Sequence, residues 1–130
     1  PLRYVLEQAR VCESKAKKSG KNRVCIKYIK HSYSFAETIK EWDKAINISD
    51  LSKKELPSTL AYQFLALTKD LEDGELIKNL VDYLFIEKSL KKDTVNFIFE
   101  IVNVEDKYDL PSVLKLAHFI NQHGIEVKDA

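Results

Sequence analysis

An amphipathic helical run that stops at Gly20, with an apolar strand leaving a few residues later, constrains this chain more than any other stretch. Leu2, Val5, Leu6, Ala9, Cys12 and Ala16 fall on one stripe with a period near 3.6, and the opposite face is charged. Gly20 can take the left-handed conformation that closes a helix, and Val24-Cys25-Ile26-Lys27-Tyr28-Ile29 then departs as a strand. The expected opening is therefore a helix over about 2–19, a tight turn, and a strand over 23–29. That strand has little polar alternation, which predicts cover on both faces, as inside a larger mixed sheet. Two partners are open to it. Either Gly124-Ile125-Glu126-Val127 pairs with it, or the pairing strands belong to a longer protein of which this chain is a fragment. A sequence without Met that opens directly on a helix favours the fragment.

The rest reads as helices. Ser34 and Glu37 have the spacing of a capping box, and Phe35, Ile39, Trp42 and Ile46 follow as one stripe with Trp42 in the core. Pro57 suits the first turn of a helix carrying Leu60, Phe64, Leu67 and Leu71. From Glu75 to about Lys88, Leu76, Ile77, Leu80, Val81 and Leu84 are joined by Tyr83, Phe85 and Ile86, a breadth that predicts burial on two sides. Asp93 can cap a helix through Val95, Ile98, Phe99 and Val102, the favoured reading, although their aromatic and β-branched content would also permit a strand. Tyr108-Asp109-Leu110-Pro111 opens the last one, and Gly124 stops it. The expected fold class is mainly α: a helix–turn–strand unit over 1–33, then a compact bundle of about five helices over 34–130.

Composition narrows the function classes. Charged residues make up 32% of the 130 but nearly cancel, to a net +1, so bulk charge argues neither for nor against nucleic acid. No apolar run approaches a membrane span and no signal peptide opens the chain, so a soluble, cytoplasmic protein is expected. Cys12 and Cys25 lack metal spacing and read as small buried hydrophobes, with a mutual disulfide the lesser alternative. His118 and His123 stand five apart on different helical faces, which disfavours a shared metal, and His31 is remote in sequence. Asp70, Glu72, Asp73 and Glu75 cluster around one loop and read as a solvated connection. No phosphate-cradling glycine loop, nucleophile elbow or flanked acid pair occurs.

The opening stretch has one chemical possibility. Lys17 and Lys21, four apart around a glycine turn, can direct two ammonium groups at one anion, and turn amides add donors. A lysine-rich helix end that complements the helix dipole and stays solvated is the plainer reading. Lys15, Lys18 and Arg23 extend the basic edge toward a nucleic-acid backbone, with Lys27 and Lys30 beyond them.

Those residues also carry a resemblance. Ala16-Lys17 with Gly20-Lys21-Asn22 resembles the end of the palm-type nucleotidyl cyclase domain of diguanylate cyclases. The longer run, Leu2-Arg3-Tyr4-Val5-Leu6 through Glu13, then those residues, a strand and the Lys30-His31-Ser32 turn, is similar to the C-terminal part of the palm-bearing large subunit of type III CRISPR effector complexes. The Cmr branch fits best. Ser34, Trp42 and the helix near Pro57 follow the same pattern. The likeness covers residues 2–46 closely and the remainder loosely.

The resemblance implies the closing helix and strand of a ferredoxin-like palm, followed by a helical domain that packs against small helical subunits beside the guide and target RNA in antiviral defence. The intact subunit would resemble a cyclic oligoadenylate synthase using ATP and a divalent metal. Its paired-aspartate motif is absent here, so this chain is expected to need no cofactor and to have no activity of its own. In related cyclases the residues at the positions of Lys17 and Lys21 contact the nucleotide triphosphate, and those two would hold phosphates. Two other classes stay open: a standalone helical protein binding nucleic-acid backbone through the basic edge, and a compact enzyme.

Overall fold

The turn at Gly20 forms where the glycine predicts it. In the computed structural model, which describes residues 2–20, 22–29, 35–54, 56–104 and 106–124, Gly20 has φ +129° and Asn22 φ +58°. Both lie in the left-handed region, which glycine enters freely and asparagine more easily than most residues. The turn joins α1 (Leu2–Ser19) to β1 (Arg23–Ile29). Then come β2 (Phe35–Glu41), α2 (Trp42–Ser52), α3 (Leu60–Thr68), α4 (Gly74–Glu87), α5 (Lys92–Ile101) and α6 (Asp109–His123). The protein is mainly helical with one small sheet.

The second strand corrects the expected capping box. Residues 35–41 are not the start of a helix but pair antiparallel with β1, from Arg23 opposite Glu41 to Ile29 opposite Phe35. Helical spacing at Phe35 and Ile39 lost to a non-local partner, because β1 is rich in β-branched residues and needs its hydrogen bonds satisfied. Ser34 lies outside the described residues, as does the tail from 125 to 130 that was a candidate partner. Helix α2 begins only at Trp42, whose N–H donates to the Asn22 carbonyl at 3.3 Å. Trp42 is exposed instead of buried in the core.

Alternation along the strands makes the sheet a middle layer. Arg23, Cys25 and Lys27 share one face with Glu37, Ile39 and Glu41. Helix α1 covers that face: Cys12 is disulfide-bonded to Cys25, and Lys27 Nζ donates to Gln8 Oε1 at 2.7 Å. The expectation of two unbonded buried cysteines is thereby corrected; their side chains meet because Cys12 on the α1 stripe lies over Cys25 on the strand beneath. On the other face, Ile26 packs against the helical core. Cover on both sides of β1 thus comes from α1 and from the helices, while the sheet itself has only two strands among the described residues.

The helices enclose one apolar core. Ile48 and Leu51 of α2, Phe64 of α3, Val81 of α4, Ile98 of α5 and Val113 of α6 are all fully buried. Helix α6 lies against α2, α3 and β2, and Leu110, Leu114, Leu116, Ala117 and Ile120 widen its buried stripe accordingly. It ends as predicted, at Gly124 with φ +61° and its N–H on the Ile120 carbonyl. Helix α5 starts one residue before the expected cap: Lys91 occupies the cap position, and Asp93 sits in the first turn accepting from the Thr94 N–H. The broad stripe of α4 is a further correction. Ile77, Val81, Leu84 and Phe85 are buried, but Leu76, Tyr83 and Ile86 share an outward side and are 50%, 58% and 79% exposed. No described helix is long and apolar enough to cross a membrane.

Candidate functional site

The basic edge singled out in the sequence lies at the end of α1 and on the adjoining strand, where carboxylates of the same layer meet it. Lys17 Nζ is 3.0 Å from Glu13 Oε1, one turn back on α1. Lys15 Nζ donates to Glu37 Oε1 at 2.9 Å, and Lys27 Nζ is 3.7 Å from Glu37 Oε2. Arg23 Nη2 lies 3.4 Å from Glu41 Oε1, its cross-strand neighbour. Lys18 is exposed, and Lys21 and Lys30 fall outside the described residues. Lys15, Arg23 and Lys27 are thus drawn to the sheet, Lys15 and Lys27 to the same Glu37 carboxylate, and Lys17 along its own helix.

These pairs differ in what an incoming phosphate would have to overcome. Lys17 and Glu13 are 76% and 65% exposed, and an ion pair in that setting contributes only about 0.2–1 kcal/mol. A phosphate could draw Lys17 away at small cost. Lys15 and Lys27 share a Glu37 side chain that is 17% exposed, so they are held more firmly and serve the sheet. The spacing of Glu13 four residues before Lys17 could have revealed the first pair. Glu37 and Glu41 could not be assigned while residues 35–41 read as helix.

Two further polar sites were not legible. Asp109, in the first turn of α6, accepts from Thr38 Oγ1 at 3.3 Å, from the Asn103 N–H at 2.7 Å, and from Lys40 Nζ. A carboxylate there also complements the positive end of the helix dipole. Lys40 and Asp109 are both nearly buried, so this seam fastens β2 to α6.

The second site answers the question posed by the acidic loop. Lys107 Nζ enters it, donating to the Leu71 carbonyl at 2.9 Å, to Glu72 Oε1 at 3.0 Å and to the Lys69 carbonyl at 3.4 Å. An ammonium group occupies the place where a cation could have been sought. The hydrogen bond it donates to Glu72 holds the Lys107 pKa above its ordinary 10.5. Asp73 meanwhile caps α4, accepting from the Glu75 N–H at 2.9 Å.

The histidines do not converge. His118 is exposed, the His123 ring lies 4.4 Å from that of Phe119, and His31 is outside the described residues. Among the described residues, no three His, Cys, Asp or Glu side chains are grouped to hold a metal ion. Comparison with protein-family models, with curated proteins and with solved structures finds no match to this chain.

Proposed function

We propose that this chain is a structural and interaction module of the large subunit of a type III, Cmr-type, RNA-guided effector. Its opening layer would adjoin the nucleotide-handling palm, and its helices would form a shoulder for the small helical subunits. The sequence pattern over residues 2–46 motivates the assignment. The observation that carries it is a pair of apolar faces that the described residues leave without cover. On α1, Val5 and Ala9 continue the stripe of the buried Cys12 and Ala16, yet both are exposed, and Tyr4, Leu6 and Val11 are exposed beside them. On α4, Leu76, Tyr83 and Ile86 form the second face. Contiguous exposed apolar side chains of this kind mark contact surfaces.

Within that reading, β1, which pairs only with β2 among the described residues, suits a further strand of a palm sheet next to the α1 face. Lys17 would leave Glu13 to hold a phosphate of bound ATP and, with Lys21, offset its charge without moving a proton.

Two variants test the assignment in the complete assembly. Tyr83→Glu with Ile86→Glu should cut recovery of the small helical subunit at least tenfold while the isolated chain stays folded. Lys17→Ala with Lys21→Ala should impair oligoadenylate synthesis and leave assembly intact. Full recovery in the first and normal synthesis in the second would together overturn the proposal.

A further inference from the structure

A groove on the helical bundle, remote in sequence from the basic edge, collects lysines that pair with no carboxylate among the described residues. One lobe, about 340 Å³, lies between the end of α2, the connection to α3, α3 itself and α6. Lys53, Lys54, Lys115 and His118 line it, and no Asp or Glu is among its described lining residues. The floor is apolar, from Leu51, Leu114 and Ala117. Lys54, Leu56 and Pro57 are shared with an adjoining lobe that adds Lys88 and Lys91. The one acid there, Asp93, already accepts the Thr94 N–H at 2.9 Å. Glu55, next in the chain to Lys54, lies outside the described residues.

The positive side chains stand beside exposed or half-exposed rings. Lys115 Nζ is 5.0 Å from the centroid of Tyr62, which is 54% exposed at the groove. Lys54 Nζ is 5.3 Å from the centroid of Phe97. Cations within about 6 Å of a ring face are held in place without being neutralised. The groove therefore offers what a carboxylate-paired lysine cannot: ammonium groups in position, with their full charge still available to an anion.

We propose that this groove binds single-stranded nucleic acid. An unpaired base would lie against Tyr62 over the apolar floor, with flanking phosphates on Lys53, Lys54 and Lys115 and the strand continuing toward Lys88 and Lys91. An aromatic platform bordered by a line of cations is the arrangement by which single strands are held without base readout. An acidic peptide would use the lysines but gain nothing from a flat ring and an apolar floor. The site is separate from both apolar faces and from Lys17, and its occupancy does not depend on the effector assignment.

The full chain should be titrated with a labelled single-stranded oligonucleotide of about twelve nucleotides, across a series of salt concentrations, by fluorescence anisotropy. Lys53→Ala with Lys54→Ala and Lys115→Ala should weaken binding at least tenfold. It should also make the salt slope shallower by about 2, since each phosphate contact on a single strand contributes about 0.7. Tyr62→Ala should weaken binding by about tenfold, and it leaves the salt slope unchanged because stacking carries no charge. Arg10→Ala with Lys78→Ala, exposed cations that line neither lobe, should match the unaltered chain. Unchanged affinity in the triple variant, unchanged affinity in Tyr62→Ala, or tighter binding of polyglutamate than of the oligonucleotide would each overturn the proposal. Loss of small-subunit capture by the α4 variant would leave it standing, so the two readings fail separately.

Discussion

The opening layer and the helical bundle solve the same problem by different means. Between α1 and the sheet, Cys12 and Ala16 are the helix's buried side chains among the described residues, and the contact is completed by a disulfide and by the polar pairs Lys27–Gln8 and Lys15–Glu37. In the bundle, side chains from α2 to α6 share one apolar core, and Phe64, Ile48, Leu51 and Val113 have no exposed surface at all. A covalent link and a few charges can fasten a helix that has little area to bury; five helices converging on one interior need no link. The difference teaches where each region is vulnerable. Reduction acts on the first, cavities on the second.

The largest expected effect is in the bundle. Phe64→Ala removes a fully buried ring from the centre of α3 and should cost about 3–5 kcal/mol in urea unfolding. A loss below about 1 kcal/mol would mean that the interior is not what holds the helices. In the opening layer, Cys12→Ser opens a link between residues 13 apart in sequence and should lower the opening free energy of α1 by about 3 kcal/mol. Hydrogen exchange should then rise over residues 2–19 and stay unchanged in α6. Equal loss of protection in both would dissolve the distinction between the regions.

Asp109→Asn probes the seam between them. The Lys40 ammonium, nearly buried, would lose its charged partner, at an expected cost of about 2 kcal/mol by thermal or urea unfolding. The smallest effect concerns Lys107. Because its pKa is raised in the folded protein, its pairing with Glu72 stabilises fully below the ordinary value of 10.5 and is lost as pH climbs through the folded value. Melting temperatures taken between neutral and strongly alkaline pH should show this loss in the unaltered chain and a smaller one in Glu72→Gln.

How much of this was legible in the sequence follows the same division. Helices α3 to α6 could be read because their apolar residues repeat with helical spacing and because Pro57, Asp73, Asp109 and Gly124 mark their ends. The turn at Gly20 was legible for a local reason too. Residues 35–41 were not, since Phe35 and Ile39 suit either period and only pairing with β1 decides between them. The Cys12–Cys25 link likewise depends on a helix lying over a strand, which no spacing encodes. The outward side of α4 was misread because breadth of an apolar stripe does not say what covers it. Among the candidate site residues, Lys15, Lys17 and Arg23 were visible as cations, while Glu37 and Glu41 were hidden by the helical reading of their segment. The groove lysines escaped notice because Lys54, Lys88, Lys91 and Lys115 come from separate parts of the chain.

Hydrogen exchange of this chain, alone and within an assembled Cmr-type effector, measures the two apolar faces directly. The account predicts that amides of residues 4–11 in α1 and 76–86 in α4 gain protection on assembly, while those of α6, already enclosed, do not change. Identical exchange at both faces with and without the other subunits would contradict it.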